Sequence, residues 1–315
     1  MAIVIGIVLA VLAIIGVGIF GYYQTTIVPR QQAVLKVGDK TFRMSYVEKR
    51  IAYEVEQAGP TVQSSSQDIV VLTTVSTIER EEMVRLLAAQ QGFTVSNDEI
   101  DAKIRSNLIV GESADAAAFA QAYRDDVRKS GLSASEYRDV VAVSVLEDKI
   151  RAHIKEAIPT NADQVHLYDI EVGTQDAAQQ VIDRLNNGED FGALVTQLSQ
   201  DTTNKDKGGE MGWEPKDALD PAIGEPVFAL QPGQWTTQPV SASGAYWVFK
   251  VTERSTGAEV TSDQQTAIED QTLQNQITDM TNQTSVDRRY LPVYSDMWNK
   301  LVGYATKDMA KALGQ

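Results

Sequence analysis

The chain contains no cysteine. This excludes disulfides, thiolate metal sites, a thiol nucleophile and a lipidated cysteine anchor, and it leaves the redox compartment open. Histidine is nearly absent, with only His153 and His166 in 315 residues. Neither lies in a motif for a Ser-His-Asp triad or a multi-histidine metal site, so no metal and no cofactor is expected. Basic residues are also scarce. There are 28 Lys and Arg against 43 Asp and Glu, a net charge of -15. A nucleic-acid surface needs a basic patch to neutralise phosphates, and nucleic acid is therefore not expected as a partner. Tandem repeats and low-complexity runs are missing too. What remains, 43% apolar and 23% charged residues, is the composition of an ordinary globular protein long enough for about two domains.

One long apolar run is present. Ala2 to Phe20 carries no charged or strongly polar residue. As a helix it would span roughly 28 Å, close to the ~30 Å hydrocarbon core of a bilayer. Tyr22 and Tyr23 follow, where an interfacial aromatic belt would lie. The exit, Gly21-Tyr22-Tyr23-Gln24, has no small-residue cleavage site. The run is read as an uncleaved anchor over residues 1–24, with the soluble part outside the cytoplasm.

Beyond the anchor, Ala33–Val37 and Lys40–Phe42 flank Gly38-Asp39 and read as a small hairpin. Helices are expected over Met44–Gln57 and Ile69–Gln91, the latter ended by Gly92. Ser96-x-x-Glu99 and Ser133-x-x-Glu136 are capping boxes opening two more. This stretch carries no catalytic constellation. Pro159 marks a boundary. Val165–Val172 reads as a strand, Asp176–Asn187 as a helix, and Phe191–Ser199 as a helix capped by Asp190. Then comes the densest glycine motif of the chain, Lys207-Gly208-Gly209-Glu210-Met211-Gly212-Trp213, a tight path that side chains would block. Pro226–Leu230 is a short apolar segment, and Pro232-Gly233 signals a type II turn. Trp235–Val240 and Tyr246–Thr252 read as a hairpin joined by Ser241–Gly244. The pattern changes near Ser255–Gly257. Ser262-x-x-Gln265 is read as the cap of a helix, and a last helix carries Met297, Trp298, Leu301 and Val302.

Several of these residues occur together in family order. Gly188-Glu189-Asp190-Phe191, Leu198-Ser199, Gly208 to Trp213, Phe228-Ala229-Leu230, Pro232-Gly233-Gln234 and Val248 to Val251 resemble the parvulin family of peptidyl-prolyl cis-trans isomerases. The helical stretch is similar to the N-terminal chaperone module of the SurA, PrsA and PpiD group. The similar segments are Val37 to Lys40, Leu86 to Ser96 and Gly131 to Tyr137.

The resemblance implies an α+β parvulin-like domain with a small antiparallel sheet over 161–255. It implies an all-α SurA-N-like module over 25–160, and C-terminal helices over 256–315 packing back on that module. It also implies a membrane-anchored foldase or chaperone that binds unfolded or nascent exported polypeptides and proline-containing segments. Two family positions depart. Asp169 and Trp247 stand where the family carries histidines, so isomerase activity is expected to be weak or lost. His166 is an odd number of residues from Asp169 and so belongs to the other face of a regular strand. Asp201 falls where the family carries Cys or Asp, which makes Asp169 and Asp201 the candidate catalytic pair. Met211, Leu219, Ile223 and Trp247 are the candidate substrate-binding residues. Asp169 is expected at a strand end facing water; if it faces Asp201 instead, one carboxyl should have a raised pKa. Trp247 either fills the pocket or belongs to the sheet core. The alternatives are an active isomerase with an atypical polar cluster, or an accessory subunit of a membrane protein complex.

Overall fold

Apolar residues three and four apart shape much of the first 150 residues in the computed structural model, which describes residues 15, 17–23, 27–59, 66–108, 115–290 and 296–312. The anchor expected over 1–24 falls largely outside the described residues. Among them, no helix is long and apolar enough to cross a membrane.

The chain separates into two compact units, one of residues 1–149 and 277–315, the other of residues 150–276. In the first, β1 (Ala33–Val37) and β2 (Lys40–Arg43) form the expected hairpin and lead into α1 (Met44–Ala58). Helix α1 buries Met44, Val47, Ile51 and Val55 along one stripe. Next come α2 (Gln67–Gln90), α3 (Asn97–Asn107), α4 (Ala116–Ser130) and α5 (Ala134–Ala157). Both capping boxes are present: Ser96 and Glu99 exchange side-chain and backbone bonds, as do Ser133 and Glu136. The alanine-rich start of α4 has no clear period, and the sequence offered no expectation for it. Its boundaries come from local chemistry. Asp115 accepts from the Ala118 amide at 2.8 Å, and Gly131 adopts φ 70° past the last turn.

The all-α expectation for this module is corrected. Strand β7 (Val286–Arg288) pairs antiparallel with β1, giving a three-stranded sheet in the order β2-β1-β7. A two-stranded hairpin leaves both edges unpaired, and the returning chain satisfies one of them. The last helix, α10 (Asp296–Ala312), packs on α1 and α2 and buries Trp298, Leu301 and Ala305. A buried ion cluster ties α1 to α2. Arg50 is fully buried, and its guanidinium donates to both Glu81 oxygens, at 2.6 and 2.8 Å, and to Glu54 at 2.7 Å.

The second unit is built on a four-stranded antiparallel sheet in the order β4-β3-β6-β5. Its strands are β3 (Asn161–Val172), β4 (Glu210–Pro215), β5 (Val240–Ala242) and β6 (Ala245–Glu259). Helices α6 (Gln175–Asn186) and α7 (Phe191–Leu198) cover one end of one face. They pack Val181, Ile182, Leu185, Leu194 and Val195 on Ile170, Val172 and Val248. Asp190 caps α7 as expected, accepting from the Ala193 amide at 2.9 Å.

Four local readings are corrected. Trp235 makes a single bridge to Lys250, and the strand proper is only Val240–Ala242, closed by the two-residue turn Ser243-Gly244. Both turn residues have positive φ, 54° and 79°, as a type I′ hairpin turn requires. Pro226–Leu230 belongs mostly to a helix, α8 (Pro221–Ala229), started by Pro221 and capped by Asp220. Strand β6 runs through Ser255–Gly257 to Glu259, because the long β3 offers it partners as far as Asn161. The helix α9 (Ser262–Gln283) is capped one residue earlier than expected, by Thr261 with Gln264.

Candidate functional site

Strand alternation sets up the site. On β3, Val165, Leu167 and Asp169 share one face, and on β6 Trp247, Phe249 and Val251 lie opposite them. Leu167 pairs with Val251, Asp169 with Phe249, and Glu171 with Trp247. Helix α8 and the turn before it lay Leu219, Ile223 and Val227 over this face. Gly224 lets α8 close on that turn, since a Cβ there would stand 3.3 Å from the Lys216 carbonyl oxygen.

All four candidate binding residues converge here. Leu219 is buried, and Met211, Ile223 and Trp247 pack against the same cluster while keeping part of their surface exposed. Trp247 serves as wall as well as core. Its ring stacks on Phe249 at 5.9 Å and 8°, and its indole N–H donates to the Ala242 carbonyl at 3.1 Å.

The two candidate catalytic carboxyls also meet. Asp169 is not at a water-facing strand end; it is 1% exposed, which corrects that expectation. The loop from Ser199 to Gly209 wraps over it. Asn204 Nδ2 donates to Asp169 Oδ2 at 2.9 Å, and the Asp169 amide donates to the Gly209 carbonyl at 2.8 Å. The Asp201 carboxyl is within hydrogen-bonding reach of Asp169 and is itself 7% exposed. Asp201 Oδ1 accepts from the Thr203 amide at 2.7 Å, and the Asp201 amide donates to Ser199 Oγ.

Asp169 Oδ1 is buried and receives no hydrogen bond. Two carboxylates cannot donate to one another, so that oxygen gains a partner from the pair only when one carboxyl carries a proton. Burial is the main cause that pushes the Asp169 carboxyl up to about 7; Asn204 opposes it, and the charges of Asp201 and Glu171 add to it. Lys205 is one of the two lysines of this loop, and its Nζ is committed to the Ser199 carbonyl at 2.8 Å.

Gly209 explains why the glycine motif sits here. A Cβ at Gly209 would lie 2.4 Å from the Asp169 carbonyl oxygen and 2.9 Å from Val195 Cγ2, and φ is 84°. The motif is thus first a packing device that lets the loop close on β3. Sequence reasoning did not find Asn204 or Lys205. Their roles depend on the path of an irregular loop, which has no period to read. His166 lies on the other face of β3, away from the pair, where it contacts Thr252, Glu210 and Trp213.

Comparison with known proteins agrees with this division. The PPIC-type PPIase domain family matches residues 162–253, and the SurA-like N-terminal domain family matches residues 1–151. The foldase protein PrsA 3 of Bacillus cereus is 26% identical over 202 residues, which are 60% of this chain and 71% of that protein. The foldase protein PrsA of Pediococcus pentosaceus is 27% identical over 143 residues, 42% of this chain. The match spans about half of that relative, 48% of its length. A crystal structure of the peptidylprolyl isomerase PrsA from Bacillus anthracis aligns over 76% of this chain and 97% of its own, at 17% identity and a TM-score of 0.42.

Proposed function

We propose that this chain, which joins a SurA-like N-terminal domain to a PPIC-type PPIase domain, is a foldase or chaperone of exported polypeptides. The apolar run over 1–24 holds it at the membrane with the remainder outside the cytoplasm. The helical module of residues 25–160, with the C-terminal helices, receives unfolded segments. The PPIase domain grips proline-containing segments and isomerises them weakly or not at all.

The observation that carries this reading is the contrast inside the candidate site. Its apolar half is intact: Met211, Leu219, Ile223 and Trp247 share one cluster that suits a proline ring. Its polar half is withdrawn. Turning an X-Pro amide means crossing a barrier of roughly 20 kcal/mol, with no covalent step. A site helps by holding the ring in apolar surroundings and offering polar groups to the twisting amide. Asp169, however, is 1% exposed and lies under the loop. The Trp247 N–H is already spent on a backbone carbonyl. Neither group is free to meet a substrate.

A protease-coupled assay on a short Ala-Pro peptide tests the enzymatic part. Little catalysis is expected, and Asp169→His with Trp247→His should raise it strongly. Robust catalysis that vanishes in Asp201→Ala would overturn the reading. It would favour instead an active isomerase in which the Asp169–Asp201 pair and its proton form the polar cluster, a reading supported by their mutual burial.

A further inference from the structure

Two residues that stand out in the sequence have no part in the proline site, His166 and Trp213. They sit together on the opposite face of the PPIase sheet. His166 pairs with Trp213 across β3 and β4, and Tyr168 pairs with Glu210. The His166 ring meets the Trp213 ring edge-on at 5.2 Å and the Tyr168 ring at 5.5 Å. This is a continuous row of three rings that leads away from the Ile170–Val172 end covered by α6 and α7, with Tyr168 itself packing against that cluster.

Trp213 is the exposed end of the row, His166 and Tyr168 are half-buried, and the row is bordered by negative charge. Trp213 is 36% exposed, unusual for so large an apolar side chain. Both ring nitrogens of His166 are engaged, Nδ1 with Thr252 Oγ1 at 2.9 Å and Nε2 with Glu210 Oε1 at 3.2 Å. His166 is therefore a pedestal that fixes Trp213 and Glu210 beside each other. Glu210 and Glu253 are both exposed and border the rings. Burial, with the charges of these two glutamates, holds the Tyr168 hydroxyl above its ordinary pKa. The neighbouring cation on β6, Lys250, stands over the Phe191 ring at 5.7 Å.

Building on the reading of the chain as a foldase or chaperone of unfolded polypeptides, we propose that the Trp213–His166–Tyr168 face, with Glu210 and Glu253, is a docking surface for their basic segments. A Lys or Arg side chain can lay its stem on the indole, place its charge over the ring face and pair with a carboxylate at once. An apolar segment would have to desolvate two carboxylates without compensation, and an acidic one would be repelled. The net charge of -15 draws basic chains in from a distance. The surface lies across the sheet from Met211 and Ile223, so it works without the proline site.

The test is fluorescence anisotropy with the full chain in a non-ionic detergent and a labelled, proline-free peptide of Arg, Ser and Gly. Replacing Glu210 and Glu253 by Gln should weaken binding about tenfold, and Trp213→Leu should weaken it several-fold. Losing the same charge at two exposed aspartates elsewhere, Asp98→Asn with Asp176→Asn, should change it by less than about twofold. Met211→Ala with Ile223→Ala should leave it unchanged. The proposal is overturned if the glutamate pair and the aspartate pair weaken binding equally. It also falls if a peptide with Glu in place of Arg binds as well.

Discussion

Replacing Asp169 by Asn isolates the cost of the buried carboxyl. Asn is nearly isosteric. Its amide can donate to Asp201, and its oxygen can still accept from Asn204, which now donates to Asp169 Oδ2 at 2.9 Å. The ordinary carboxyl value of 3.8 is raised to about 7 in the fold. In the unfolded chain the group ionises near its ordinary value, while the folded chain keeps the proton until about 7. The stabilising contribution of the protonated form is thus complete below about pH 4 and is lost as pH rises towards 7, by up to about 4 kcal/mol in total. Above that the loss levels off. The variant has no such titration. Acidic solutions bring this chain close to charge neutrality, so the practical window is pH 5.5 to 8. Across it the variant should gain about 2 kcal/mol over the parent. Urea unfolding of the full chain, followed by Trp fluorescence, measures this directly. Trp213, Trp235 and Trp247 lie in the PPIase unit and Trp298 in the other, so the two transitions can be separated. The half-buried Glu214 is also raised by burial, but it is common to both proteins and cancels in the difference. If the variant and parent keep a constant gap from pH 5.5 to 8, Asp169 does not hold a proton in the fold, and the account of the acid pair fails.

Other perturbations follow from particular contacts. Gly209→Ala should unfold the PPIase unit or cost it several kcal/mol, because a backbone oxygen stands 2.4 Å from the new methyl group. Gly212→Ala, with φ 99° but open space, should cost only about 1 kcal/mol of backbone strain, and thermal unfolding will rank the two. Arg50→Ala should destabilise the helical unit by about 3–5 kcal/mol, by leaving Glu81 and Glu54 without their cation. The PPIase unit, monitored by its own Trp signals, should not respond. Asp190→Ala should cost the PPIase unit about 1 kcal/mol through loss of the α7 cap, read by urea unfolding.

Much of the helical unit was legible because its helices announce themselves. The caps at Ser96 and Ser133 and the apolar stripes of α1 and α2 are local patterns, and local hydrogen bonds realise them. Strand β7 was not legible. Three residues carry no period, and they are a strand only because β1 offers them an edge. In the PPIase unit α8 was not foreseen, but the apolar residues of the site could be named in advance from the parvulin resemblance, and alternation puts Trp247 and Phe249 on one face. The burial of Asp169 could not. It depends on a loop of eleven residues, Ser199 to Gly209, whose course is fixed by Asn204, Ser199 and the space at Gly209.

From the chain alone, then, come the absence of thiol chemistry and, through the family resemblance, the two kinds of domain and the candidate binding residues Met211, Leu219, Ile223 and Trp247. Periodicity and glycine spacing act over a few residues and can be read without coordinates. Where the side chains of Asp169 and Trp247 end up is set by long-range packing. It buried one carboxyl against another and spent the indole N–H on Ala242. The solvation of a side chain is set by whatever long-range packing brings over it, and no local pattern encodes that. The glycine motif at 207–213 illustrates the division. Its tight path was visible in the chain, and its purpose, closing a loop over Asp169, appears only where β3 and β4 meet.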